Sequence, residues 1–338
     1  MITTSPQRTR HATPAHEPPA AARAAAVVVG ITAVLAILAI AFALPAVHSG
    51  PHDVPIGVAG ADAADGQIAA MLDQARPGAF EVTSYPSATA LTDAIRNRDV
   101  YGGIALPSQP GGPATLLIAT GSSPAVAQLL TGLGTELGQR TGMSLRTEDL
   151  APLPSRDPRG AGIAASALPL TLAGLLPAFA LVLLLRREIW TRLAAALVFA
   201  GLAGVTIAAL LRFVFGSVDQ NFWGVAAALT LGVAAALLTV LGLGSMFGKA
   251  GLAIGSLLAL LVGNPLSGLG SAPEMLPAGW GQFGQLLPQG ASATLLRSAA
   301  AFDGAGATTA LIVLAGWTLA GTLLIVIAAL RQRKSAPQ

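Results

Sequence analysis

The stretch Ala24-Ala-Ala-Val-Val-Val-Gly30-Ile-Thr-Ala-Val-Leu-Ala-Ile-Leu-Ala-Ile40-Ala-Phe-Ala-Leu-Pro-Ala-Val47 has no charged side chain and follows Arg8, Arg10 and Arg23. A hydrocarbon core about 30 Å thick is crossed by roughly twenty apolar residues at about 1.5 Å rise each, so the stretch reads as a membrane-spanning helix. It is longer than the apolar region of a secretory signal, about 7–15 residues. An uncleaved signal anchor is therefore expected, with cleavage near the small residues around Ala46 and Ser49 as the alternative.

Composition points the same way. Of the 338 residues, 53% are hydrophobic and only 10% charged, whereas soluble domains carry about 25% charged residues; the mean hydropathy is +0.67. The net charge of +3 could suggest a nucleic-acid partner. The basic residues, however, sit mainly at the ends of apolar runs, where they orient the chain, and no nucleic acid is expected. The absence of cysteine excludes disulfides, thiolate metal sites and cysteine catalysis.

Further apolar runs occupy 162–185, 193–211, 222–247, 250–263 (short) and 308–330. The fold class expected is an α-helical integral membrane protein with six transmembrane helices and a small extracytoplasmic α/β domain between helices 1 and 2. The parts are a cytoplasmic tail (1–23), helix 1 (24–47), the ectodomain (48–160), a five-helix membrane domain (161–330) with a re-entrant or outer hairpin at 264–300, and a cytoplasmic tail (331–338). Basic residues in short loops mark the cytoplasmic side. With the N-terminal arginines inside, Arg186, Arg187, Arg192, Lys249, Arg331, Arg333 and Lys334 all fall inside, which places both chain ends in the cytoplasm of a cell carrying the protein in its plasma membrane. Arg212 lies near the outer end of its span, where snorkelling to the headgroups is expected.

Within 48–160, strand and helix patterns alternate. Strands are expected at 54–59, 80–85, 100–106, 115–119 and 144–150. Between them, Ile68, Met71, Leu72 and Ala75 fall on one helical face, Ser87 suits a helix N-cap, and 124–139 repeats leucines at helical spacing. The order β-α-β-α-β-β-α-β favours a mixed sheet. Residues 152–160, with three prolines, read as an extended linker.

No catalytic constellation is found. His48, His52 and Asp53 fit an exposed turn better than a metal site, and no cofactor or metal is expected. Gly242-Leu-Gly244-Ser-Met-Phe-Gly248 has glycines like a dinucleotide fingerprint but lies at the end of an apolar span, where close helix packing explains it. The spans contain no buried Asp, Glu or Lys that could relay protons.

Two features carry functional weight. Arg186-Arg187-Glu188-Ile-Trp190-Thr-Arg192 is a charged cytoplasmic joint with an interfacial tryptophan, fit either for anchoring or for docking. From Asn264-Pro265 onward, apolar residues alternate with Gly, Pro and Gln up to 306, as expected of re-entrant or interfacial helices, with an external amphipathic loop as the alternative.

The six spans, the ectodomain after the first, the basic joint and the succession Asn264-Pro265-Leu-Ser-Gly268, Glu274-Met-Leu-Pro277-Ala-Gly-Trp280, Leu287-Pro288-Gln, Leu296-Arg297 and Phe302-Asp-Gly304 together resemble the permease subunits of type-two ABC exporters. The branch they are most similar to includes phage-infection-protein-like membrane proteins. The resemblance implies a homodimer or heterodimer of permeases moving an amphipathic, lipid-linked or hydrophobic substrate, with separate cytoplasmic ABC ATPase subunits. It implies an ATPase coupling hinge at Arg186, Arg187, Glu188, Trp190 and Arg192, and an outer gate at Asn264, Pro265, Pro277, Trp280, Pro288 and Arg297. The α/β ectodomain is a departure from simpler members. The alternative is a membrane-anchored envelope receptor or assembly protein that acts through its ectodomain.

Overall fold

The computed structural model describes residues 19–60, 62–107, 112–142, 144–186 and 188–334. Its first helix, α1 (Ala20–Val47), is apolar from Ala24 onward.

A five-stranded sheet follows, made of β1 (Val54–Ala59), β2 (Phe80–Tyr85), β3 (Gly102–Ala105), β4 (Ala114–Ile118) and β5 (Leu145–Asp149), in the spatial order β2-β1-β3-β4-β5. Strand β1 is parallel to β2 and β3, with Val54 opposite Phe80 and Gly57 opposite Gly103. Strands β3 and β4 are antiparallel, and β4 and β5 are parallel. Helices α2 (Asp62–Ala75), α3 (Ala88–Arg96) and α4 (Pro124–Thr141) connect the strands. The mixed sheet arises where the sequence pattern expects strands, because β1, β3 and β4 are apolar runs that need cover on both faces. Ile68 and Leu72 of α2 join Val54, Ile56 and Leu130 in one core, while Leu91 and Ile95 of α3 join Ala59 and Leu117 in another. Ser87 caps α3 by accepting the Ala90 amide at 3.1 Å, and Ser123 caps α4 by accepting that of Val126 at 3.3 Å.

The linker closes on Asp157, whose carboxylate accepts the amides of Ala161 at 2.8 Å and Gly162 at 2.9 Å. Burial alone would raise its pKa, but the Ser217 side chain, followed by the amides of Gly162, Ala161 and Gly160, holds the carboxyl below its ordinary range. The two amide bonds cap α5 (Ala161–Ala165), which leads through Ser166 into α6 (Ala167–Leu184). Next come α7 (Ile189–Ala209), ending in a π-helical turn at Leu210–Val214, and α8 (Phe222–Leu257), ending in another at Leu258–Gly263. Short α9 (Trp280–Gln285), α10 (Pro288–Ala301) and α11 (Thr308–Lys334) complete the chain.

Among the described residues, five helical runs are long and apolar enough to cross a membrane: Ala20–Val47, Ala161–Leu184, Ile189–Val214, Phe222–Gly263 and Thr308–Arg333. The chain thus reads as a multi-pass membrane protein. The 222–247 and 250–263 runs, expected as two spans, fall within a single run of 42 residues. That run reverses at Gly248, where φ is 60° and ψ is −135°, a backbone that a side chain would strain. Beyond the turn the two arms touch side by side: a Cβ on Gly244 would stand 2.7 Å from Leu252, one on Gly255 would stand 3.4 Å from Val240, and one on Gly251 would strike the Leu243 carbonyl. Residues eight or more apart cannot meet in this way along one straight helix.

The arm from Phe222 is the centre of the bundle, with α6, α7, α10 and α11 packed around it. Its neighbours approach closely because small residues face each other. A Cβ on Gly204 of α7 would lie 2.6 Å from the Thr230 amide nitrogen, and one on Gly174 of α6 would lie 2.7 Å from the Ala236 Cβ. Gly204→Leu is expected to lower the apparent melting temperature of the detergent-solubilised protein, at an overpacking cost of about 1–3 kcal/mol. Gly316→Ala, where no atom lies within 4 Å of the added methyl, is expected to leave it unchanged or raise it. Equal effects at the two positions would contradict the packing described.

Candidate functional site at the seam between the α/β domain and the 264–300 hairpin

The chain leaves helical geometry at the Asn264-Pro265 turn, as proline demands. The Asn264 amide bonds Ala259 O at 2.9 Å, and Ser267 bonds back to Asn264 O through both its amide and its hydroxyl. The next turn runs through Gly268, at φ 65°, and is closed by Arg297, which is 5% exposed. One guanidinium nitrogen of Arg297, Nη2, donates to Gly268 O at 2.9 Å, Leu269 O at 2.6 Å and Ser271 O at 3.1 Å. Sequence reading placed Arg297 in an outer gate; here its side chain is a clamp that satisfies carbonyls freed by the broken helix.

The other residues assigned to that gate divide into two groups. Asn264 and Pro288, the first residue of α10, line a small cavity of about 20 Å³ together with Thr171, Ser267, Gln289 and Ser292. Pro265 follows in the turn. Pro277 and Trp280 stand away from the cavity, joined to each other by the Trp280 amide and the Pro277 carbonyl at 2.9 Å; the Trp280 ring is exposed. Trp317 of α11 donates its indole N–H to Leu286 O at 2.8 Å and ties the hairpin to the bundle.

The hairpin is also bonded to the α/β domain. Arg98 follows α3 in a left-handed conformation, with φ 66°, where glycine is the usual occupant. Its side chain reaches α10, and Nη1 donates to Thr294 O at 3.1 Å and to Ser298 Oγ at 2.5 Å. The guanidinium carbon stands 5.3 Å from the centre of the Phe302 ring. The Tyr101 hydroxyl donates to Glu274 Oε2 at 2.7 Å, and Ser123 Oγ donates to Ser271 O at 2.9 Å. The amides of Gly50 and His52 donate to Met275 O at 3.0 Å and Glu274 O at 2.9 Å. Ala272 is fully buried within that domain's core.

These contacts border a second, partly open cavity of about 240 Å³, lined by Arg98, Tyr101, Glu274, Gln285, Thr294 and Thr309, among others. Burial, then the neighbouring Glu274 carboxylate, pushes the Tyr101 hydroxyl pKa up, so the phenol stays a donor. Burial also lowers that of Arg98. Sequence reading did not find Arg98 or Tyr101, because their partners lie nearly two hundred residues further along the chain.

At the opposite end of the bundle, α6 and α7 are joined by a tight turn. Arg187 lies outside the described residues, while Arg186, Glu188 and Trp190 are exposed. Arg192 is buried: Nε donates to Leu185 O at 2.5 Å, Nη2 to Arg186 O, and Nη1 to Ser245 Oγ at 3.3 Å. Gln332 of α11 reaches Arg186 O at 3.5 Å. Arg212, expected to snorkel, donates to Asp219 O at 2.6 Å.

His48 and His52 each direct Nδ1 to a local carbonyl, that of Leu44 at 3.0 Å and that of Gly50 at 2.8 Å. Among the described residues, no three His, Asp or Glu side chains cluster as a metal site would require. Comparison of the chain with protein-family models, with curated proteins and with solved structures finds no match.

Arg297→Met strips the Leu269 carbonyl of its donor and leaves Gly268 O to the Ser271 amide and Ser271 O to the Ser123 hydroxyl alone, and is expected to destabilise the protein by on the order of 3 kcal/mol. Tyr101→Phe removes one charge-assisted bond, with an expected loss of about 2 kcal/mol. Apparent melting temperatures in detergent check both; an Arg297→Met protein as stable as the parent would contradict the clamp.

Proposed function

We propose that the protein is the membrane permease subunit of an ABC-type exporter, moving an amphipathic, lipid-linked or hydrophobic substrate outward with energy from a separate cytoplasmic ATPase. The observation that carries this reading is the break at Asn264. A helical arm ends inside the bundle, and the chain returns through α10 beside the central helix: a Cβ on Gly232, about 15 Å along the helix from Phe222, would strike the Ser292 hydroxyl, and one on Gly263 would strike the Gln289 amide. Broken backbone at such depth is tolerated where protein or a watery path surrounds it, as in transporters. A simple membrane anchor needs none of this.

Several features add support. The spans contain no Asp or Glu, so proton coupling lacks its groups and another energy source is needed. Counting the two arms that meet at Gly248 separately gives the six crossings of the permease class. Lys249, at that turn, then joins Arg186, Arg331 and Arg333 on the cytoplasmic side, with the seam and ectodomain outside. Exposed Glu188 and Trp190 offer a docking surface to the ATPase, while Arg192 behind them ties α6, α7 and α8 together, so that a push on the joint moves three helices at once. The permeases pair as a homodimer or heterodimer around the path.

Purification from native membranes in mild detergent tests the reading. An ATP-hydrolysing subunit is expected to co-purify, and Glu188→Ala with Trp190→Ala is expected to lower its ATP turnover several-fold while the permease remains folded. Recovery without any ATPase, together with an envelope factor bound to the ectodomain, would contradict it.

A further inference from the structure

We propose that the seam cavity is a binding site for a small zwitterionic group carrying a phosphate and an ammonium on a short linker. The inference starts from two charges that the fold leaves unspent. The two hydrogen bonds of Arg98 both come from Nη1. Among the described residues its Nε and Nη2 have no protein acceptor, and no carboxylate lies within 4.0 Å to form an ion pair. The remaining pair of N–H groups is the planar fork that accepts a phosphate or carboxylate in bidentate fashion. Glu274 is in the complementary position: Tyr101 occupies Oε2, and among the described residues Oε1 has no donor.

Both groups are half-buried; Arg98 lies against the Phe302 ring, yet the usual remedy for charges withdrawn from water is direct pairing. Here the guanidinium and the carboxylate line the same cavity of about 240 Å³ without pairing to one another. A simple anion would be attracted by Arg98 and repelled by Glu274, and a simple cation the reverse. A ligand bearing both charges satisfies both walls, which is discrimination by repulsion as well as by attraction. Of the two anions that the fork accepts, a phosphate has further acceptor oxygens for the Ser122 and Thr309 hydroxyls of the lining.

Size and lining agree with this class. The volume equals that of roughly eight waters at about 30 Å³ each, ample for a phosphoethanolamine-sized group and less than the usual 300–1,000 Å³ of drug-sized pockets. Gln285, Thr294, Ser122 and Thr309 supply neutral polar groups, and Pro55, Val100 and Ala310 an apolar wall for the linker. The ligand is either a soluble phosphoester or the headgroup of a lipid. The site stands apart from the transport reading and requires no ATPase.

The full-length protein in detergent, titrated calorimetrically, tests the proposal. Phosphoethanolamine is expected to bind at least about tenfold more tightly than inorganic phosphate or ethanolamine alone. Arg98→Gln is expected to weaken it about tenfold or more, as loss of a charge-assisted bidentate contact implies. Glu274→Gln, which keeps an acceptor for Tyr101, is expected to retain the parent melting temperature and to lose the preference, admitting inorganic phosphate as readily as phosphoethanolamine. In nanodiscs, competition by phosphatidylethanolamine but not phosphatidylglycerol identifies a lipid headgroup as the source; equal phosphoethanolamine binding in both identifies a soluble one. Equal binding of phosphate and phosphoethanolamine to the parent protein, no binding of either, or an unaltered preference in Glu274→Gln would overturn the proposal.

Discussion

A polypeptide that stops being helical inside an apolar bundle must find partners for the carbonyls it releases, and Arg297 is the group that provides them. It serves Gly268, Leu269 and Ser271 from one nitrogen while buried. With those carbonyls held, the turn after Asn264 is a fixed shape on which other contacts are built. Ser123 of the α/β domain reaches Ser271, Ala272 enters that domain's core, and Glu274 is set opposite Tyr101. Helix α10 becomes the common support of this half of the bundle. It carries Arg297 on one side, takes Arg98 at Thr294 and Ser298, and receives the Asn221 amide at the Ala299 carbonyl.

The opposite end repeats the device. Arg192 donates to the carbonyls of Leu185 and Arg186, freed where α6 ends, and crosses to Ser245 near the Gly248 turn. Each end of the bundle is therefore fastened by a buried guanidinium bound to main-chain oxygens, which are satisfied without any acidic partner. Between the two fastenings the helices pack through large apolar side chains such as Leu229, Leu237, Leu241 and Ile325, with Gly and Ala where the backbones come close, and Trp317 adds a bond to Leu286 O. Helices fastened at both ends and packed on one another mainly through apolar contacts can transmit a movement from one end to the other as displacement of whole helices, and this is the behaviour the exporter reading requires.

The parts of this arrangement that depend on local pattern could be read from the sequence. Ile68 and Leu72 repeat at helical spacing and pack as expected, Ser87 caps its helix, and the sheet has five strands where alternation and apolar runs suggested them. Asn264-Pro265 stops a helix for the stereochemical reason visible in the letters. The remainder depends on distance along the chain. Arg192 reads as one of several surface charges, yet its acceptors are carbonyls whose availability no residue type signals. Arg98 closes a helix where sequence reading places only a boundary, and nothing local tells that its partners are Thr294 and Ser298. Gly248 lies in a sequence rich in glycine, so the one that reverses the helix is not distinguished from those that only make room for neighbours.

Because the chain has no cysteine, single cysteines can be placed at will, and the path of the fourth apolar run can be followed directly. The decisive measurement is labelling of intact cells by a membrane-impermeant maleimide at Ser84→Cys in β2, Ala278→Cys in the outer hairpin and Lys249→Cys beside the Gly248 turn. The expected result is labelling of the first two from outside and of the third only after permeabilisation. Labelling of Lys249→Cys together with Ala278→Cys in intact cells would contradict a helical hairpin that dips to the far side and returns to end, broken, beneath the ectodomain.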